Sequence, residues 1–89
     1  MYYIYILLCD KAFFYVGITN DVDKRLRQHI KKKSPHTKRY NDIELVYKEE
    51  YKTRLEAETR EKQLKGWSKA KKKALVERNI NLLKELSKS

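Results

Sequence analysis

The chain opens with an unbroken apolar and aromatic run over residues 2–8, breaks at the polar pair Asp10 and Lys11, and resumes the same chemistry over residues 13–18. Runs of this length, rich in β-branched and aromatic side chains, predict two strands joined as a hairpin. Asn20 or Asp21 can then cap a helix whose apolar positions Val22, Leu26 and Ile30 recur at helical spacing. That helix should stop near Lys33, because Pro35 disfavours helical geometry in the residue before it. After a polar loop over residues 34–42, the run at 43–47 predicts a third strand. Thr53 with Glu56 three residues later reads as a capping box, and Gly66 as the stop of the helix it begins. Ser68 can cap a third helix through Arg78, and Leu82, Leu83 and Leu86 suggest a helical tail packing back. The expectation is one small α/β domain over residues 1–89: a three-stranded sheet, made of a hairpin plus one strand, flanked by three to four helices. Its core would span about residues 2–78 and its tail 79–89.

Length and charge narrow this picture. With 89 residues the core is thin, so functional side chains must lie on or near the surface. The single cysteine, Cys9, allows no intrachain disulfide, which fits a cytoplasmic protein. The apolar start lacks a basic flank and reads as a strand rather than a signal peptide. The net charge is +10, and its distribution is uneven. Residues 24–39 carry eight cations (Lys24, Arg25, Arg27, Lys31, Lys32, Lys33, Lys38, Arg39) and no acid. Residues 60–73 carry seven more, among them Lys65 and Lys69, against the single acid Glu61. Two such blocks point to a polyanion, with nucleic acid the natural partner. A membrane surface is not expected, because no helix shows the aromatic apolar face it requires.

Three features carry candidate chemistry. Tyr2, Tyr3, Tyr5 and Tyr15 crowd the hairpin, where phenols can donate to phosphate or move protons. Arg25 and His29 stand one helical turn apart and suit a phosphate clamp and a proton acceptor. Glu61 falls between Ala57 and Leu64 at helical spacing, a carboxylate on a small apolar face. Such a group needs a salt bridge or a hard cation such as magnesium. Cys9, His29 and His36 have no zinc-ligand spacing, and two glycines in all exclude a P-loop. Tyr40 or Trp67 could stack a nucleobase, although Trp67 sits at core spacing from Leu64.

Tyr3-Ile4-Tyr5 followed by Tyr15-Val16-Gly17 resembles the paired segments that name the GIY-YIG nucleases. Arg25, ten residues past Tyr15, lies where that family keeps a helical arginine; His29 and Glu61 match its histidine-or-tyrosine and metal-binding glutamate positions. The chain is most similar to the compact stand-alone, UPF0213-like branch, over about residues 2–75. Tyr3 stands where the family's first glycine does. The family's late asparagine has no convincing match in Asn79 or Asn81.

The resemblance implies an endonuclease that hydrolyses phosphodiester bonds with one Mg2+ or Mn2+ held by Glu61, with Arg25 neutralising charge on the phosphate. Tyr15 would be the general base, with Tyr5 and His29 ordering water or relaying the proton. If nearby cations do not lower the phenol pKa, His29 becomes the better base. Lys24, Arg27, Lys31, Lys32, Lys33, Lys38, Arg39, Lys65 and Lys69 would track the backbone. The chain has no room for a sequence-reading module, so single-stranded or branched DNA is favoured, with RNA open and a monomer expected. The alternative is a non-catalytic nucleic-acid-binding module on the same fold. A four-residue hairpin loop would put Tyr5 and Tyr15 on opposite faces, so a shared site requires an odd-length loop or a β-bulge.

Overall fold

The computed structural model describes residues 1–31, 37–78 and Leu86. Its order is β1 (Tyr2–Cys9), β2 (Phe13–Thr19), α1 (Val22–Ile30), β3 (Ile43–Tyr51), α2 (Arg54–Lys65) and α3 (Lys69–Val76). The strands form one antiparallel sheet in the order β2-β1-β3, so the most apolar strand lies in the middle. Burial on both faces explains why β1 reads as a continuous hydrophobic run rather than an alternating one.

The hairpin turns through three residues, with Cys9 paired to Phe13. Asp10 and Lys11 adopt left-handed backbone at φ 51° and 55°. Asp tolerates this conformation better than most residues, and its carboxylate is put to use. Asp10 Oδ1 accepts from the backbone N–H groups of Asn41 and Asp42, both at 2.9 Å, tying the hairpin tip to the start of β3. The odd loop sets Tyr5 opposite Gly17 and Leu7 opposite Tyr15, so both tyrosines project from one face.

A bulge does occur, but elsewhere. The β1–β3 register shifts between Ile6, which faces Tyr47, and Leu7, which faces Leu45. Without that shift, residues 43, 45, 47, 49 and 51 would share a face. With it, Ile43 and Leu45 pack with Tyr5, Leu7 and Cys9, while Tyr47 and Tyr51 join the opposite core of Ile4, Ile6, Val16, Ala57, Leu64 and Leu75. One face of the sheet carries Leu26 of α1 and Tyr40; the other carries α2 and α3.

Three boundaries and one buried position differ from the sequence expectation. β3 runs to Tyr51, because pairing with β1 back to Tyr2 overrides the poor strand propensity of Lys48, Glu49 and Glu50. α1 ends at Ile30 with Lys31 as its C-cap, short of Lys33. α3 ends at Val76, where Arg78 takes a left-handed φ of 56° and closes the helix. The inward stripe of α1 ends on His29, which is 1% exposed, and leaves Ile30 55% exposed. His29 is seven positions from Val22 and three from Leu26, so it shares their face; its buried polar ring is tolerated because hydroxyls meet both nitrogens. The caps at Asp21, Thr53 and Ser68 form as expected. Lys32, Lys33 and His36 lie outside the described residues, as does the 79–89 tail apart from Leu86.

Candidate active site

β1 supplies Tyr5, β2 supplies Tyr15 and α1 supplies His29, and the three rings form a triangle. Centroid separations are 6.3 Å for Tyr5–Tyr15, 5.8 Å for Tyr5–His29 and 5.3 Å for Tyr15–His29. The Tyr5 hydroxyl lies 3.0 Å from His29 Nε2, and Thr37 Oγ1 lies 2.6 Å from Nδ1. The two phenols are close enough that each acts on the other's proton affinity. A hydrogen-bonded chain therefore runs from Tyr5 through His29 to Thr37, all three buried, and the half-buried Tyr15 ring packs beside its first two members. A neutral imidazole carries one N–H, so the flanking hydroxyls take complementary roles, one donating to the ring and the other accepting from it.

Gly17 makes this packing possible. A Cβ there would lie 2.3 Å from both Cζ and the hydroxyl oxygen of Tyr5. The Tyr5 ring thus rests directly on the β2 backbone, which is the physical reason for a glycine two residues after Tyr15.

Two charges act on the phenols from outside the chain of hydrogen bonds. Burial raises the Tyr5 phenol well above its ordinary 10.0, Tyr15 and Glu61 add to the rise, and Arg25 opposes it. Tyr15 is raised as well, by burial first and then by Glu61; Arg25 and the neighbouring Tyr5 offset this only in part. Both phenols are therefore held protonated, contrary to the lowering a phenolate base would need. Arg25 is exposed and lines a cleft of about 180 Å³ with Tyr2, Ile18, Thr19, Asn20 and Arg54. Of the five residues singled out in the sequence, Tyr5, Tyr15 and His29 thus share one ring cluster, and Arg25 and Glu61 act electrostatically on its two phenols.

Glu61 is not deeply buried: its side chain is 20% exposed and makes a long, 3.5 Å ion pair with the largely exposed Lys65. No group of three or more His, Cys, Asp and Glu residues converges among the described residues. One accessible carboxylate with a loosely held counter-ion does not fit zinc, but it fits magnesium, which keeps most of its waters and takes one or two carboxylates plus substrate phosphate.

The basic residues divide into two kinds. Lys24, Arg27, Lys31, Lys38, Arg39, Lys65 and Lys69 are exposed. Arg60 instead reaches from α2 to Glu49 on β3, at 3.0 and 3.1 Å. The same carboxylate accepts from Tyr47 at 2.5 Å and Tyr51 at 2.6 Å. Burial alone would raise Glu49, but the bonds from Arg60, Tyr47 and Tyr51 prevail and hold it below its ordinary range. Tyr47 and Tyr51 are pushed up to about 12, by burial first and then by Glu49. Arg60 and Lys71 also cover the Trp67 ring, at 5.1 and 4.3 Å from its centroid. Trp67 is thus a half-buried structural side chain, and Arg60 and Lys71 are engaged within the fold. Sequence reasoning missed Thr37 and Glu49. The inward position of His29 calls for a polar partner, and Tyr47, Glu49 and Tyr51 alternate along one strand face, but no local motif announces either.

The fold is that of a nuclease superfamily. The model of the GIY-YIG catalytic domain matches residues 1–74, and the chain belongs to that family. Similar proteins include a UPF0213 protein of Bacillus pumilus, 36% identical over 85% of this chain and 79% of its own length. Another, from Haloquadratum walsbyi, is 32% identical over 91% of this chain and 92% of its own. The solution NMR structure of a UPF0213 protein from Bacillus halodurans superposes with a TM-score of 0.56 at 34% identity, covering 86% of this chain and 84% of that one. No helix among the described residues is long and apolar enough to cross a membrane.

Proposed function

We propose that the protein is a metal-dependent endonuclease that hydrolyses phosphodiester bonds in DNA, single-stranded or branched, with little sequence specificity. The observation that carries this reading is the hydrogen-bonded chain Tyr5–His29–Thr37 with Tyr15 packed against it, and with Arg25 and Glu61 both acting on the two phenols. Tyr15 is the more accessible member of that cluster and the group that meets the attacking water. It takes a proton from the water as its own passes to Tyr5 and that of Tyr5 passes to His29 Nε2. The product is an imidazolium rather than a phenolate, which the raised phenol pKa values disfavour. This direction of transfer requires the His29 tautomer whose Nδ1–H donates to Thr37. Water oxygen bonds to phosphorus as the bond to the 3′ oxygen breaks, and the departing oxygen takes its proton from solvent. Arg25 neutralises charge on the non-bridging oxygens. Glu61 would hold Mg2+ or Mn2+, which when bound supplies further charge neutralisation at the phosphate. Exposed Lys24, Arg27, Lys31, Lys38, Arg39, Lys65 and Lys69 track the flanking backbone, as would Lys32 and Lys33.

The test is cleavage of end-labelled single-stranded, duplex and branched DNA with Mg2+, Mn2+ or EDTA, beside Glu61→Ala. Metal-dependent cutting that disappears in Glu61→Ala while binding persists is the expected result. Binding without cutting on every substrate would instead identify a non-catalytic nucleic-acid-binding module, with Glu61 reduced to its salt bridge with Lys65.

A further inference from the structure

Phe13 is 55% exposed at the tip of the hairpin, an unusual place for a large aromatic ring that builds no core. It borders a shallow pocket of about 260 Å³ lined by Ala12, Phe13, Phe14, Tyr40, Lys69 and Lys72. The Phe13 and Tyr40 rings are 5.7 Å apart and inclined at 35°. Tyr40 is held from behind: it packs on the Tyr5–Leu7–Cys9 cluster, and Arg39 lies 5.0 Å over its ring while donating to its hydroxyl at 2.8 Å. The pocket therefore combines an apolar aromatic wall with two lysines one helical turn apart on α3.

We propose that this pocket receives one unpaired nucleobase of the nucleic-acid strand, stacked on Phe13, with Lys69 and Lys72 on the adjoining phosphates. The pocket is smaller than those that take drug-sized ligands and is the scale of a single base. Stacking on aromatic rings beside lysines is how single strands are held without sequence readout, since every base has a π-face. A duplex cannot use it, because its bases face one another. The inference rests on nucleic acid being the partner, and it specifies the substrate class: an unpaired base close to the cut. Phe13 and Tyr15 project from the same face of β2, two residues or about 7 Å apart along the strand. The stacked base therefore lies one or two nucleotides from the phosphate at Tyr15. The other candidate platform, Trp67, is already covered by Arg60 and Lys71.

The test compares binding of a labelled 12-nucleotide oligothymidylate with that of an abasic 12-mer of equal phosphate count, in EDTA at low salt. Wild type binds the thymidylate about tenfold more tightly, the gain expected of one stacked base. Phe13→Ala abolishes that difference, and Phe13→Trp keeps it. Both variants alter an exposed ring, so circular dichroism and thermal midpoint stay at the wild-type values. A ribo-oligomer arm separates DNA from RNA as the source of the base. Equal, measurable binding of the two 12-mers by wild type, or a difference that survives in Phe13→Ala, overturns the pocket and leaves the nuclease reading standing. No binding of either overturns both. Base-dependent binding without cleavage of any substrate removes the nuclease reading alone.

Discussion

Of the two glycines in the chain, Gly17 has the more demanding neighbourhood, because the Tyr5 phenol occupies the space a side chain would fill. A methyl group there forces Tyr5 off the sheet and away from His29, and Tyr5 is too buried to swing aside freely. We expect Gly17→Ala to lose about 1–3 kcal/mol of stability, the range for overpacking a core, and to lose cleavage more completely than binding. Thermal denaturation and single-turnover cleavage check both; wild-type values for the two would mean that the ring is not fixed as described. Thr37 makes a different case. Its hydroxyl meets His29 Nδ1 at 2.6 Å with neither residue exposed. Thr37→Ala should cost about 1–2 kcal/mol and slow cleavage about tenfold, whereas Thr37→Ser, which restores the hydroxyl, should recover the rate. A rate unaffected by Thr37→Ala would remove Thr37 from the relay. Tyr5, Tyr15, Arg25, His29 and Glu61 could be picked out in the sequence because each sits at a fixed spacing within one element. Thr37 could not. It lies in a polar loop, and only the fold brings it back to a histidine eight residues earlier.

At the scale of elements, the sheet and its cover were legible where patterning and caps agree, as at Thr53 and Gly66 for α2. The end of β3 was hidden because its last residues are polar for a tertiary reason: Glu49 faces Arg60 across the β3–α2 contact and accepts from the tyrosines on either side. The bulge at Ile6/Leu7 puts this cluster on the α2 face, and no periodicity in β3 alone reveals it. The cluster gives the fold a defined pH dependence. Glu49 has a lowered pKa in the folded state, so its contribution is present above the ordinary value of 4.5 and is lost as pH falls below it. Tyr47 and Tyr51 are raised from 10.0 to about 12, so the folded state keeps protons the unfolded chain releases, and their contribution is lost as pH rises from about 10 to 12. Urea denaturation across pH should therefore show stability falling on both sides of this window. Glu49→Gln should cost about 2 kcal/mol near neutral pH and flatten both limbs. Limbs as steep in Glu49→Gln as in wild type would assign the pH dependence to other groups.

Across the whole molecule, a count of cations misstates the surface presented to a polyanion. The +10 net charge divides into cations engaged within the fold, such as Arg60 with Glu49 and Lys71 on Trp67, and exposed ones such as Lys38 and Lys69. Only the second kind can exchange condensed counter-ions for protein contacts, so only they steepen the salt dependence of binding. Each exposed lysine that meets a single-strand phosphate adds about 0.7 to the slope of log K against log salt. Lys69→Gln should therefore lower that slope by about 0.7 and leave the thermal midpoint unchanged. Arg60→Gln should do the reverse: the slope holds, while stability falls because Glu49 loses its part-buried partner. The pair of variants separates electrostatic footprint from internal bracing with one titration and one melt. If Arg60→Gln lowers the slope as much as Lys69→Gln does, Arg60 leaves Glu49 to bind phosphate, and the β3–α2 clamp opens when nucleic acid arrives.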